Sequence, residues 1–281
     1  MPSLPSHRRP TYGSSVLRIF DLSLGEMLWS RRSMFLALLV GGPVVLALAA
    51  RLAWMFASSA SFRINGESVS GAGTFGLMIW LLYVRFIVPI LGVFYGTALI
   101  ADEVDDRTIT YLFTRPIARG AVLIGKFLAY LACTVLLILP SVVVVFFLLV
   151  PMGGGSIAAV FPSLLADLGM LAAGLAAYGA VFAWVGARVQ RPLVAGLVFV
   201  LGWEPAVLMF PGYLNRLTVA YYLQALVPHT MPQDSSISGL LQTFAAVPGV
   251  LPSLAGLGVL TVGALWVAAR TVESREYVLE Q

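Results

Sequence analysis

Six apolar stretches separated by short polar segments set the pattern of this chain: 33–56, 75–100, 121–150, 162–187, 193–210 and 250–269. A helix rises 1.5 Å per residue, so about 20 apolar residues cross ~30 Å of hydrocarbon. Each stretch predicts a transmembrane helix, the fifth at the short end of the usable range. The third contains Pro140, which predicts tilt or a kink. Ahead of the first stretch the period changes. Between Ser15 and Trp29, Val16, Ile19, Phe20, Ser23 and Met27 fall near one helical face, with Arg18, Asp21 and Glu26 off it. That spacing predicts an amphipathic helix lying at the inner interface.

The connections differ in kind. Ala57–Thr74 is rich in Ser and Gly and reads as a simple connector, and Pro151–Gly155 reads as a tight turn. The segment Pro211–Pro248 is half apolar and broken by Pro228, Pro232 and Asp234. It predicts two short helices lying in, or dipping into, the outer interface. The first apolar stretch begins only after Arg31 and Arg32 and has no clear small-residue cleavage site, so it reads as a retained span and not as a signal peptide.

Composition agrees with a lipid-facing surface. Of 281 residues, 59% are hydrophobic and 11% charged, against roughly 25% charged in soluble domains. The net charge of +4 is scattered over short loops, so no nucleic-acid partner is expected. Basic residues set the orientation. With the N-terminus inside, the inner segments hold Arg8, Arg9, Arg18, Arg31, Arg32, Arg107, Arg115, Arg119, Lys126, Arg188, Arg191, Arg270 and Arg275. The outer segments and outer helix ends hold Arg51, Arg63 and Arg216. The lone cysteine, Cys133, allows no intramolecular disulfide.

Few residues carry recognisable chemistry. Gly120 through Lys126 matches the start of a phosphate-binding loop, but Phe127 stands where magnesium ligation wants Ser or Thr, and the segment enters an apolar stretch. His7 and His229 are far apart, with no metal-ligand spacing around either. No catalytic arrangement stands out. Gly169, Ala173 and Ala177, with Ala172, Ala176 and Ala180, form small-residue rows that predict close helix packing. The unusual residues are charges within the apolar stretches: Arg85, Asp167 and Glu204. Arg85 and Glu204 both fall near the membrane midplane, at ~15–16 Å depth. An unpaired charge there costs about 2.5–3.5 kcal/mol. They either face each other or both face a wet cavity. Arg51 and Asp167 share the outer third, where they pair or Arg51 snorkels to headgroups.

The segment between the second and third stretches carries a resemblance. Glu103, Thr108, Leu112, Pro116, Arg119, Gly125, Lys126 and Phe127 reproduce the spacing of an acidic residue, a Thr with apolar neighbours, a Pro-x-x-Arg turn and a Gly-Lys-Phe helix opening. This resembles the ABC-2 family of exporter permeases, with Arg107 where the family often has Gly. Glu26 through Arg32 is similar to the family's amphipathic elbow, and Trp203–Glu204–Pro205 is similar to a branch with Trp-Glu in its fifth span.

The resemblance implies an all-α membrane protein with six transmembrane helices, an N-terminal elbow and short outer re-entrant helices between spans five and six. One permease domain would fill 1–281: tail and elbow 1–32, membrane domain 33–270 and cytoplasmic tail 271–281. The elbow (Glu26, Arg31, Arg32) and the coupling loop (Glu103, Arg107, Thr108, Leu112, Pro116, Arg119, Lys126) would meet two copies of a cytosolic ABC ATPase. A second permease copy or a sibling permease would complete the dimer in a bacterial plasma membrane, in contact with lipid. ATP and magnesium belong to the ATPase, and this chain is expected to bind no cofactor and no metal. The rival classes are an ion-coupled secondary transporter using Glu204 or Asp167, an intramembrane enzyme, which lacks clustered acids or histidines at one depth, and a membrane scaffold.

Overall fold

The computed structural model describes residues 12–29, 31–56, 63–64, 67–68, 70–105, 119–209, 215–216, 218–228 and 249–274. They form a helical bundle. The helices are α1 (Tyr12–Trp29), α2 (Arg31–Phe56), α3 (71–105), α4 (Arg119–Leu149), α5 (Ile157–Arg188), α6 (192–209), α7 (Val219–Leu226) and α8 (Val250–Ser274). A two-residue antiparallel ladder, Arg63–Ile64 with Glu67–Ser68, sits in the connector before α3. Five helices among the described residues are long and apolar enough to cross a membrane: those in α2, α3, α4, α5 and α8. The apolar helix Pro192–Val207 is shorter.

Two boundaries fall four or five residues earlier than the apolar pattern predicts, and local chemistry explains the first. Helix α3 starts at Gly71, because the Ser70 side chain accepts the Gly73 N–H at 3.1 Å and caps the first turn. Helix α5 starts at Ile157 and carries Pro162 within it. The predicted turn between α4 and α5 is a 3-10 turn, Met152–Gly154. Gly153 and Gly154 adopt φ of 72° and 80°, the left-handed region that glycine enters without a Cβ clash.

α3 and α5 make the tight centre of the bundle. A Cβ on Gly96 would lie 2.9 Å from the Phe182 Cβ and 3.0 Å from the Gly179 carbonyl. One on Gly92 would press on the Tyr178 Cβ. Glycine at both positions lets the two backbones approach. The Gly169 end of the predicted small-residue row does no such work, since Gly169 is exposed with nothing near its missing Cβ. Ala177 and Ala180, further along, are fully buried.

α1 lies along α4 and α8 along α5, both in extensive contact. Ser15 and Ser23 of α1 are buried, and Ile19 packs onto Gly125 of α4. Arg18, Asp21 and Glu26 are exposed as the period predicts, but so are Leu17, Leu22 and Trp29. The helix therefore has a docked face and a mixed outer face. The start of α1, the start of α4 and the end of α8 meet at one end of the bundle. Glu273 and the Tyr12 hydroxyl approach the Gly120 Cβ position at 3.5 and 3.6 Å.

Candidate functional site

A cavity of about 180 Å³ opens between α3 and α6, beside α5 and α7, with Arg85 and Glu204 in its wall. Val84, Pro89, Val200 and Leu201 line its apolar part, and Gln224 of α7 adds an amide. Both bordering helices leave α geometry here. α3 is π-helical over Ile79–Ile87 and again over Gly92–Gly96, and α6 over Phe199–Trp203. The Val88 N–H reaches back five residues to the Tyr83 carbonyl, and the Glu204 N–H five residues to that of Phe199. Turns of this kind are rare and concentrate at functional sites. Here they place Arg85 within one widened stretch and Glu204 directly after another.

Glu204 is 3% exposed, and both its oxygens are engaged. The Tyr178 hydroxyl of α5 donates to Oε2 at 2.7 Å, and the Ala220 N–H of α7 donates to Oε1 at 2.9 Å. Ala220 is the second residue of α7, one of the first-turn amides that lack an intrahelical acceptor. The N-cap residue Thr218 makes no side-chain cap; its hydroxyl donates to the Asn215 carbonyl at 2.7 Å. A carboxylate from a different helix therefore caps α7, where the helix dipole also favours negative charge. One side chain ties α5, α6 and α7.

Arg85 shares this cavity but does not take a Glu204 oxygen. Its guanidinium carbon stands 5.3 Å from the Trp80 ring centroid, within cation–π range. Of the two arrangements open in the sequence, both charges therefore border a cavity, and the carboxylate is satisfied by a hydroxyl and an amide.

A second polar station lies between α2, α3 and α4. The Ser141 hydroxyl donates to the Val40 carbonyl at 3.0 Å, and the Tyr83 hydroxyl lies 2.6 Å from the same Ser141 oxygen. Serine has one hydroxyl proton, so Tyr83 is the donor to Ser141.

Other sequence candidates are placed apart from the cavity. Asp167 is fully buried in α5. Lys126 is partly buried near the start of α4, and Glu26 is exposed on α1. Arg31 and Arg32 open α2, Glu103 lies in the last turn of α3, and Arg119 opens α4. Arg107, Thr108, Leu112, Pro116, His7, His229 and the second predicted outer helix lie outside the described residues. Sequence reasoning missed Tyr178, Ala220 and Gln224. Tyr178 left one signal: a hydroxyl-bearing aromatic among Ala, Gly and Leu in the middle of an apolar stretch.

The profile of the family described as ABC-2 family transporter protein matches residues 21–255, from within α1 into α8. The chain belongs to that family, and it is a multi-pass membrane component of a transport system. A search of curated proteins gave no significant match.

Proposed function

We propose that the chain is the membrane-spanning permease subunit of an ATP-binding cassette exporter, driven by two cytosolic ATPase subunits that bind and hydrolyse ATP with magnesium. The observation that carries this reading is the family match running from α1 into α8. In this reading α2, α3, α4, α5, α6 and α8 are the six spans. The sixteen residues of Pro192–Val207 continue helically to Met209, giving 18 residues and about 27 Å of rise, close to the hydrocarbon thickness. α1 is the cytoplasmic elbow, its mixed outer face suited to headgroups. α7 is the first outer re-entrant helix, anchored from below by Glu204. The end that gathers Arg18, Lys126, Arg188 and Arg270 faces the cytoplasm, and a second permease copy completes the pathway.

Coupling fits the same arrangement. The 106–118 segment joins α3, which borders the cavity, to α4, on which α1 lies. An ATPase gripping that segment would move the elbow and the cavity wall together. The test is a mild-detergent pull-down of the tagged protein from its native membrane, with ATPase activity assayed for wild type and Glu103→Ala. A stoichiometric ATPase subunit weakened by the substitution is the expected result. Substrate movement by the purified, ATPase-free protein in response to an ion gradient would overturn it in favour of an ion-coupled carrier.

A further inference from the structure

We propose that the α3–α6 cavity is a binding site for the anionic head of an amphiphile, a phosphate or a carboxylate, with Arg85 as its counter-charge. The inference deepens the transport reading and rests on it for the statement that the amphiphile is cargo. Arg85 lies well inside its span, 14 residues after the start of α3 at Gly71 and 16 before Ala101. No hydrogen bond or ion pair reaches it from any described residue; its contact is the Trp80 face. A cation at such depth is costly, and those that persist face a cavity or a pathway.

The neighbouring Glu204 carboxylate attracts Arg85 electrostatically but takes none of its N–H groups. Glu204 accepts from Tyr178 and the Ala220 amide and not from Arg85, whose N–H groups remain for another acceptor. A guanidinium matches phosphate and carboxylate oxygens with two parallel N–H donors. The Trp80 ring holds it from one side and leaves its edge available.

Size and surroundings define the rest of the ligand. A volume of about 180 Å³ equals roughly six water molecules. That admits one compact head and excludes a whole lipid or peptide. Leu201, in the cavity wall, is 60% exposed, and it gives an apolar tail a route along the lipid-facing side.

The experiment uses the full chain in nanodiscs of uncharged phospholipid. Brominated dodecyl phosphate, dodecanoate and dodecylammonium are titrated, and quenching of tryptophan fluorescence is followed. The expected result is that both anions bind at least about tenfold more tightly than the ammonium, a difference of ~1.4 kcal/mol. Arg85→Gln should abolish that preference and Arg85→Lys should keep part of it. Arg85→Gln should also melt no lower than wild type, because it removes a costly charge. Equal binding of the three probes, or an anion preference unchanged in Arg85→Gln, overturns the site. Two further arms separate the sources of the anion. If an anionic phospholipid in the nanodisc competes with dodecyl phosphate in an Arg85-dependent way, the site holds a resident headgroup. If it does not compete, the site serves cargo. An Arg85-dependent preference in a protein that copurifies with no ATPase would keep the site and remove the exporter reading; a copurifying ATPase without the preference would do the reverse.

Discussion

Tyr83 and Tyr178 each send a hydroxyl from the middle of one span into another, and the surroundings of the two differ. Tyr83 donates to Ser141, whose own hydroxyl donates to the Val40 carbonyl. That chain is neutral and buried, and it joins α3 to α4 and α2. Tyr178 donates to a carboxylate that also caps α7, at the edge of a cavity with a cation in its wall. The first station is complete without any ligand. The second concentrates an acid, a base and π-helical turns at one place, which packing alone does not call for. This chain thus uses the same phenol at a neutral seam and beside a cavity, and what distinguishes the two is charge, cavity and backbone irregularity.

Substitutions break this contrast in a graded order. Glu204→Ala should have the largest effect. It orphans the Ala220 amide and the Tyr178 hydroxyl, each costing about 1–3 kcal/mol when buried and unsatisfied. The expected outcome is a clear fall in melting temperature in detergent, with loss of transport. Its sharpest local readout is increased labelling of a cysteine placed in α7. Glu204→Gln keeps an acceptor and should recover part of the stability.

Tyr178→Phe comes next. It removes one hydrogen bond to a charged acceptor, about 1.5–3 kcal/mol. Transport should fall while the fold persists, because Ala220 still holds Glu204. Tyr83→Phe should be smallest. Ser141 keeps its bond to Val40, and interhelical hydrogen bonds in membranes average about 0.6 kcal/mol. Transport should be close to wild type. If Tyr83→Phe impairs transport as much as Tyr178→Phe at equal stability, the division between seam and working site fails.

A separate check sits on the α3–α5 contact that supports both stations. Gly96→Ala would push a methyl onto Phe182 and the Gly179 carbonyl. Overpacking of that kind costs about 1–3 kcal/mol, measurable as a lower melting temperature.

Much of this architecture could be read from the chain because lipid imposes length and apolarity on every span. The five long helices fall where the apolar stretches predict, and the glycine turn before α5 announces itself by composition. Arg85 and Glu204 stood out because charge in an apolar stretch is rare. Their partners did not, because they come from other helices. Tyr178 is 26 residues from Glu204 and Ala220 is 16, and no helical period links them. The tight glycines were equally hidden. The sequence draws the eye to the longer row from Gly169, while tight approaches occur at Gly92, Gly96, Gly179 and Gly186, whose tightness depends on the helix lying opposite.

Because a π-helical turn holds about one residue more than the α-helical turn it replaces, the spans bordering the cavity carry slack in register. Loss of one residue elsewhere in a span swings everything beyond it by about 100° and turns its buried side to lipid. Within 79–87 of α3 or 199–203 of α6 the same loss can be absorbed by tightening the turn, leaving the flanking faces aligned. A single-residue deletion at those places should therefore still insert and fold, while one in the unbroken α-helix of α4 should not. The cavity wall is thereby a place within the described spans where chain length can change while the flanking faces stay in register.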